Sequence, residues 1–272
     1  MGSKTTPKCV LTIAGSDSGA GAGIQADLKA IAAQGVYGLS AITAITAQNT
    51  VGVEKVQILP ADMVEAQIDA VLKDFPVAVV KTGMLGNAEI IQAVAARLKQ
   101  HNIRKIVLDP VMVAKSGDLL LEGGAQETLQ EKLLPLALLV TPNIPEAEIL
   151  CGRFVKNTAD LKKVARALRA MGPSFVLLKG GHLMGNREVT DILFDGEKYY
   201  YYRASRIATE NTHGTGCTYA SAIAAHLALG KTVPQAVKAA REYLQAILPY
   251  GLNLGHGHGP MDHFSACLKE KR

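Results

Sequence analysis

Short apolar, β-branched runs alternate with amphipathic stretches along most of the chain. Cys9-Val10-Leu11-Thr12-Ile13 predicts a buried strand that ends in a glycine-rich turn. Ala78-Val79-Val80, Ile106-Val107-Leu108, Leu138-Leu139-Val140 and Val176-Leu177-Leu178 repeat the pattern. Continuous apolar runs of this kind suit strands covered on both faces. Between them, Ile91, Val94, Ala95 and Leu98 recur at helical spacing. Leu161, Val164, Ala165 and Leu168 do the same, with charges on the opposite face. Alternating strands and helices predict a mainly parallel sheet with helices on both faces.

The rhythm changes late in the chain. Residues 188–194 and 198–203 flank Asp195-Gly196, a hairpin signal. Two long helices are expected after it, from about residue 217 to 229 and from about 234 to 248. No repeat or low-complexity linker interrupts the sequence, so a single domain spanning residues 1–272 is expected.

Composition adds exclusions. With 48% hydrophobic and 19% charged residues, the chain is neither disordered nor collagen-like. A net charge of +5 over 272 residues, with no Lys/Arg run, gives no basis for a nucleic-acid partner. No stretch approaches the roughly 20 apolar residues of a membrane helix, so no membrane partner is expected. No apolar signal core precedes Cys9, and none of the four cysteines (Cys9, Cys151, Cys217, Cys267) forms a Cys-x-x-Cys pair. Reduced thiols in a cytoplasmic protein are the expectation.

Parallel sheets place ligands beyond the C-terminal ends of their strands, so the residues there are the candidates. The first strand runs into Ala14-Gly15-Ser16-Asp17-Ser18-Gly19-Ala20-Gly21-Ala22-Gly23. Small residues let backbone approach a ligand, and the following helix offers N–H groups. Ile24 stands where a dinucleotide fingerprint wants its third glycine, and no P-loop Gly-Lys-Ser/Thr is present. A tight turn and a ligand loop both remain open here.

Asn211-Thr212-His213-Gly214-Thr215-Gly216-Cys217-Thr218 makes a stronger case. Gly214 and Gly216 would let consecutive N–H groups converge at a helix N-terminus, an anion hole for phosphoryl transfer. Cys217 at the positive end of that helix is expected to have a lowered thiol pKa. The plainer alternative is a capped helix with a buried structural cysteine.

Asp109-Pro110 and Asn143-x-x-Glu146 follow two other strands. Strand-end carboxylates can hold Mg²⁺ through water while phosphates complete its shell. Alternatively, they are a turn residue and a first-turn helix carboxylate. Lys179-Gly180-Gly181-His182 could aim a charge at a phosphate, or be a surface lysine before a turn. In the tail, His256, His258 and His263 cluster in sequence, but a glycine-rich loop favours a conformational role over metal binding.

Taken in order, the segments Thr12–Ser18, Gly21–Asp27, Thr46-Ala47-Gln48-Asn49-Thr50, Lys81-Thr82-Gly83-Met84-Leu85 and Leu108-Asp109-Pro110-Val111-Met112 form a specific set. Ala114-Lys115-Ser116-Gly117, Thr141-Pro142-Asn143, Leu178–His182 and Asn211–Thr218 complete it. From about Val10 to about Phe264 the chain resembles the ribokinase-like superfamily. More narrowly, it resembles the bacterial hydroxymethylpyrimidine/phosphomethylpyrimidine kinases of thiamine biosynthesis.

The resemblance implies a three-layer sandwich and an ATP- and Mg²⁺-dependent kinase. Such an enzyme phosphorylates 4-amino-5-hydroxymethyl-2-methylpyrimidine and then its monophosphate. It implies that Gln48 reads the pyrimidine edge, since an amide offers both a donor and an acceptor. Gly15, Asp27, Met84 and Val111 match positions lining the same pocket. Asn143 and Thr212 match the nucleotide side, Asp109 and Glu146 the Mg²⁺ side through water, and Lys179 a phosphate ligand. Gly214 and Gly216 match the anion hole, and Cys217 the general base. A homodimer is implied, and a monovalent cation is left open. The chain departs from many relatives at Gly19-Ala20, where they carry Ser-Gly. That departure puts any left-handed backbone requirement at Ala20 in question.

Three other readings compete. The same fold could act on pyridoxal or pyridoxine. Cys217 with His213 could be a hydrolase pair, although the sequence shows no Asp or Asn to orient the histidine. A non-catalytic sensor is argued against by the full set Asp109, Glu146, Lys179 and Cys217. Glycines near Lys115-Ser116-Gly117 and His256-Gly257-His258 are candidate hinges.

Overall fold

The structure is a computed structural model and describes residues 6–112, 124–182, 187–209 and 211–265. Lys115-Ser116-Gly117 and Cys267 lie outside the described residues. A nine-stranded sheet runs in the order β3-β2-β1-β4-β5-β6-β7-β8-β9. Its strands are β1 Cys9–Asp17, β2 Tyr37–Gln48, β3 Val53–Ile58, β4 Val77–Thr82, β5 Ile106–Leu108, β6 Leu139–Val140, β7 Phe175–Leu178, β8 Glu188–Phe194 and β9 Tyr199–Ser205. The six from β2 to β7 are mutually parallel. β3 pairs antiparallel at one edge and the β8–β9 hairpin at the other.

The helices follow from the apolar stripes. They are α1 Gly23–Ala33, α2 Ala61–Asp74, α3 Ala88–Gln100, α4 Ala125–Thr128, α5 Ile144–Cys151, α6 Thr158–Ala170, α7 Thr215–Ala228 and α8 Val233–Ile247. Asn87 and Asn157 cap α3 and α6 by accepting from the N–H groups of Ile90 and Asp160.

Successive residues of each inner strand feed opposite cores. Leu11 and Ile13 of β1, Ile106 and Leu108 of β5, and Val176 and Leu178 of β7 pack with Ile90, Ile91, Val164 and Leu168. Val10, Val107 and Leu177 pack instead with Ile31, Tyr219, Ile223, Val237 and Leu244. The sheet is thus covered on both faces, by α2 to α6 on one and by α1, α7 and α8 on the other. This is the three-layer arrangement expected.

The expected strands and hairpin are present with small shifts of their ends, and the two last helices begin at Thr215 and Val233. β2, β3 and α2 escaped the sequence pattern. β2 mixes exposed and buried positions with Ser, Thr and Gly, and β3 is largely exposed. Neither has the continuous apolar signature of the inner strands.

The chain leaves β1 for β2 and β3 on one side, then crosses to β4 and runs to β7 on the other. The junction of β1 and β4 is the point where strand order reverses, which is where open α/β sheets bind ligands. Asp17, Thr82, Asp109, Thr141 and Lys179 all sit at or just past strand C-termini on that edge.

Candidate active site

Asp109 follows β5 and is 1% exposed. Its Oδ1 accepts from Lys179 Nζ at 2.7 Å and from Thr141 Oγ1 at 2.9 Å. Burial alone would raise its pKa, but the cations of Lys179 and Lys81 outweigh burial and hold the carboxyl below its usual range. Lys179, past β7, is the matching case. Burial opposes its charge, and Asp109 and Glu146 overcome it and raise the pKa.

Glu146 sits in the first turn of α5. Asn143 N donates to Glu146 Oε2 and Glu146 N donates to Asn143 Oδ1, both at 2.8 Å, a reciprocal capping box. Burial pushes the Glu146 carboxyl up to about 7; Lys179 counters it and the Asp109 charge adds to it. Asp109, Glu146 and Lys179 therefore form one electrostatic group. Two hard carboxylates that repel each other suit a small dication held through water, so the residues fit Mg²⁺.

The N-terminus of α7 faces this group. A Cβ on Gly216 would sit 3.4 Å from Lys179 Nζ and 3.8 Å from Asp109 Oδ2. Gly214 is the N-cap, with φ of 77°, and as a glycine it brings no side chain to cap the helix. The loop that starts α7 thus presents backbone N–H groups beside a lysine.

Cys217, in the same turn, departs from expectation. Burial pushes its thiol up to about 11 rather than down. The Lys81 cation pulls the other way, but the carboxylates of Asp27 and Asp109 add to burial. Burial and the two anions outweigh the Lys81 cation and the bond from the Gly23 N–H.

Asp27, expected to line the substrate pocket, is completely buried in α1. It accepts from Lys81 Nζ at 2.9 and 2.8 Å, from Thr12 Oγ1 at 2.6 Å and from Ser221 Oγ at 2.7 Å. Its oxygens are engaged by β1, β4 and α7, so it ties elements together beneath the site. Lys81 is equally buried, and Asp27 and the other nearby carboxylates hold its pKa high against burial.

Gly15 and Met84 do meet. Gly15 lies at a register shift in β1, and a Cβ there would sit 3.1 Å from Met84 Sδ. Val111 N donates to Asp109 O at 2.9 Å, which folds the chain back after β5. Thr212 O accepts from Thr215 N at 3.4 Å within the α7 loop.

The first glycine loop is not an open cradle. Asp17 Oδ1 accepts from Gly19 N at 2.8 Å, and Oδ2 accepts from Gly21 N at 3.0 Å and Ala22 N at 2.8 Å. Asp17 N donates to Gln25 Oε1 at 2.9 Å. The chain's own carboxylate fills the nest, so this loop is the turn rather than the anion site. Ala20 does adopt the left-handed conformation, with φ of 59°, and donates to Asp17 O at 2.9 Å.

His213 crosses from the second loop to the first. Its Nε2 lies 2.9 Å from Asp17 Oδ2 and 3.3 Å from the Gln48 amide. An Asp partner therefore exists, contrary to the sequence reading. The hydrolase pair loses support on other grounds: Nε2 is engaged by Asp17, and the Cys217 thiol is pushed up.

The tail histidines do not converge. His263 is buried and pairs with Thr218 Oγ1 at 3.0 Å. Thr50 Oγ1 accepts from His256 N and Gly257 N, both at 3.1 Å, and Thr50 O accepts from His258 N at 3.0 Å. These bonds pin the segment considered as a hinge. Among the described residues no group of three His, Cys, Asp or Glu side chains could hold a metal. No helix of the described residues is long and apolar enough to cross a membrane.

Sequence reasoning missed Asp17, Lys81, Thr12 and Ser221. The usable signal was a lysine inside the apolar run of β4, since a buried lysine demands a partner.

Comparison with known proteins places this geometry. The family model described as phosphomethylpyrimidine kinase matches residues 17–262. A hydroxymethylpyrimidine/phosphomethylpyrimidine kinase of Rhizobium meliloti is 51% identical over 263 residues, covering 96% of this chain and 98% of that protein. A bifunctional thiamine-biosynthesis protein of Geobacter sulfurreducens is 52% identical over 95% of this chain, but the chain spans only 52% of its length. The crystal structure of a Bacillus subtilis pyridoxal kinase in complex with ADP aligns with a TM-score of 0.89 at 35% identity, covering 97% of this chain and 100% of that one. The fold is therefore ribokinase-like, and with a family model matched from the end of β1 to beyond α8, the chain belongs to the phosphomethylpyrimidine kinase family.

Proposed function

We propose that the chain transfers the γ-phosphoryl group of ATP to the hydroxymethyl of 4-amino-5-hydroxymethyl-2-methylpyrimidine, and a second one to the monophosphate, in thiamine biosynthesis. The observation that carries this reading is the Asp109–Lys179 pair facing the N-terminus of α7. Phosphoryl transfer has little covalent chemistry for a protein to perform, so positioning and charge stabilisation dominate. Lys179 and the N–H groups around Gly214 and Gly216 stabilise the charge spreading over the transferred group. Asp109 and Glu146 are the residues that would hold Mg²⁺ through water, and the bound ion would supply neutralisation of phosphate charge. Asn143 and Thr212 border the nucleotide, and one domain carries the whole site. We assign no role to a monovalent cation, and a homodimer is the assembly expected.

Gln48, Gly15, Met84 and Val111 hold the pyrimidine, with Asp27 supporting them from beneath. Cys217 stands in the base position. A thiol at about 11 is largely protonated near neutral pH, so its share is smaller than that of the phosphate-facing groups.

The pyridoxal kinase alignment favours vitamin B6 as the second reading. A pyridine presents a phenolic oxygen where the pyrimidine presents an amine, so Gln48 discriminates. An ADP-release assay with Mg-ATP compares hydroxymethylpyrimidine, its monophosphate and pyridoxal. Turnover of both pyrimidines with pyridoxal slow is expected; turnover of pyridoxal alone overturns the substrate assignment. Gln48→Leu is expected to weaken the pyrimidine by about 1–3 kcal/mol while ATP affinity holds, because a buried polar edge loses its partner.

A further inference from the structure

His213 has no role in the chemistry above, yet it joins the two glycine loops and touches Gln48. Its ring occupies the space beside Gly21, where a Cβ would collide with His213 Cδ2. The next residue, Gly214, packs so closely on the Gly21 carbonyl that a Cβ there would collide too. The ring is 13% exposed and its Asp17 partner 3%, so the contact is largely shielded from water.

Hydrogen-bond bookkeeping at this point has one consistent solution. Burial opposes the Asp17 charge, but the bonds from His213 and from the Ala22 and Gly19 N–H groups outweigh it and keep the carboxyl ionised, and a carboxylate only accepts. Nε2 of His213, 2.9 Å away, must therefore carry the proton and donate it to Asp17 Oδ2. A protonated Nε2 cannot accept from an amide. The structure places the Gln48 amide nitrogen 3.3 Å from Nε2; amide nitrogen and oxygen are told apart by their partners, and with Nε2 protonated that end is reassigned as the oxygen. The other end, placed as the oxygen 3.1 Å from Thr46 Oγ1, then becomes the nitrogen and donates to that hydroxyl. Thr46 passes its own proton to Ser16 O at 2.9 Å. In this arrangement Nε2–H meets Asp17, one amide N–H meets Thr46, and the Thr46 hydroxyl meets Ser16 O. In the opposite amide orientation, an amide N–H faces a ring nitrogen that cannot accept, and the Thr46 hydroxyl, its proton given to Ser16 O, faces an amide oxygen with no proton between them.

We propose that His213 is a positioning residue for substrate selection: held by Asp17, it locks the Gln48 amide in one sense and so sets which end of the amide donates to the substrate and which accepts. This rests on the reading of Gln48 as the residue facing the heteroaromatic edge. The ligand class that matches is a ring bearing an acceptor nitrogen beside a donor amine. A ring bearing a phenolic oxygen reverses one of those two roles. Without His213 only the Thr46 bond holds the amide, and the preference between the two rings narrows.

The test compares His213→Ala, His213→Gln and Gly21→Ala with the unaltered chain. Gly21 has no left-handed φ, and the three atoms nearest an added Cβ all belong to the His213 ring, so its alanine variant crowds that ring first. Steady-state constants are measured for hydroxymethylpyrimidine, pyridoxal and ATP, and folding is checked by thermal unfolding. For His213→Ala, KM for hydroxymethylpyrimidine is expected to rise about tenfold, the scale of one lost buried hydrogen bond. KM for ATP should stay within about twofold, the preference over pyridoxal should shrink, and His213→Gln should recover most of the loss. Gly21→Ala should reproduce the shift, and adding it to His213→Ala should do nothing further, because the ring it displaces is gone. An unchanged pyrimidine KM in either His213→Ala or Gly21→Ala overturns the proposal. Equal losses for pyrimidine and ATP, or a glutamine variant no better than alanine, do so as well. Failure of the unaltered chain to turn over hydroxymethylpyrimidine would instead overturn the substrate assignment, and the two failures are read from different proteins.

Discussion

The two glycine loops at the sheet edge share a composition and differ in what fills them. The loop before α1 closes on Asp17, whose carboxylate takes the N–H groups of Gly19, Gly21 and Ala22. The loop before α7 has a glycine at its N-cap, with no side chain to fill it, and opens toward Lys179 and Asp109. One nest of donors is satisfied by the chain itself, and the other is the one proposed to stabilise charge that arrives with a substrate. Glycine spacing shows only that backbone can come close; the neighbouring charge decides what it comes close to.

The comparison breaks most visibly at Lys179. Lys179→Ala removes the cation facing the open loop and leaves Asp109 buried without it. A fall in kcat of about 10²–10³-fold is expected, comparable to losing one donor of an oxyanion hole. Retained turnover in a folded variant would remove the open loop from the chemistry. Cys217→Ala, in the same loop, should have a smaller effect, about 10-fold to 100-fold on kcat with pyrimidine affinity nearly unchanged. A larger loss than that of Lys179→Ala would restore the thiol to the leading role.

The smallest effects concern acid, and they separate the loops. His263, which supports the first turn of α7 through Thr218, is lowered by burial from 6.5 to about 4. His226, further along α7, is shifted in the same way. Both stay neutral in the fold where the unfolded chain is protonated. Unfolding therefore takes up protons, and stability falls as pH drops from about 6.5 toward 4. Asp17 behaves differently. Although burial opposes it, bonds from His213 and the loop hold its pKa below 3.8, so its contribution is present above that value and is lost only as pH falls below it. Urea unfolding across this range should show a slope between about pH 6.5 and 4 that His263→Asn flattens. Asp17→Asn should lower stability there without changing that slope, and an altered slope would mean that the two loops are not independently supported.

The same division shows in what could be read from residues alone. The inner strands β1, β4, β5, β6 and β7 were legible because each is a continuous apolar run buried on both faces. Their order placed Asp109, Glu146, Lys179 and the α7 loop at strand ends, and the structure brings those groups together. β2 and β3 were not legible, because exposed edge positions tolerate mixed composition.

What the sequence by itself determined is the layered fold and the set of groups at the sheet's C-terminal edge, since hydrophobic period and strand-end position are local properties of the chain. Only the tertiary structure decided what each group faces. It paired Lys81 with Asp27 across 54 residues and His213 with Asp17 across 196. It turned the first glycine loop inward and raised the Cys217 thiol instead of lowering it. Charge pairing and desolvation depend on distances between segments remote in sequence, and no spacing pattern encodes them.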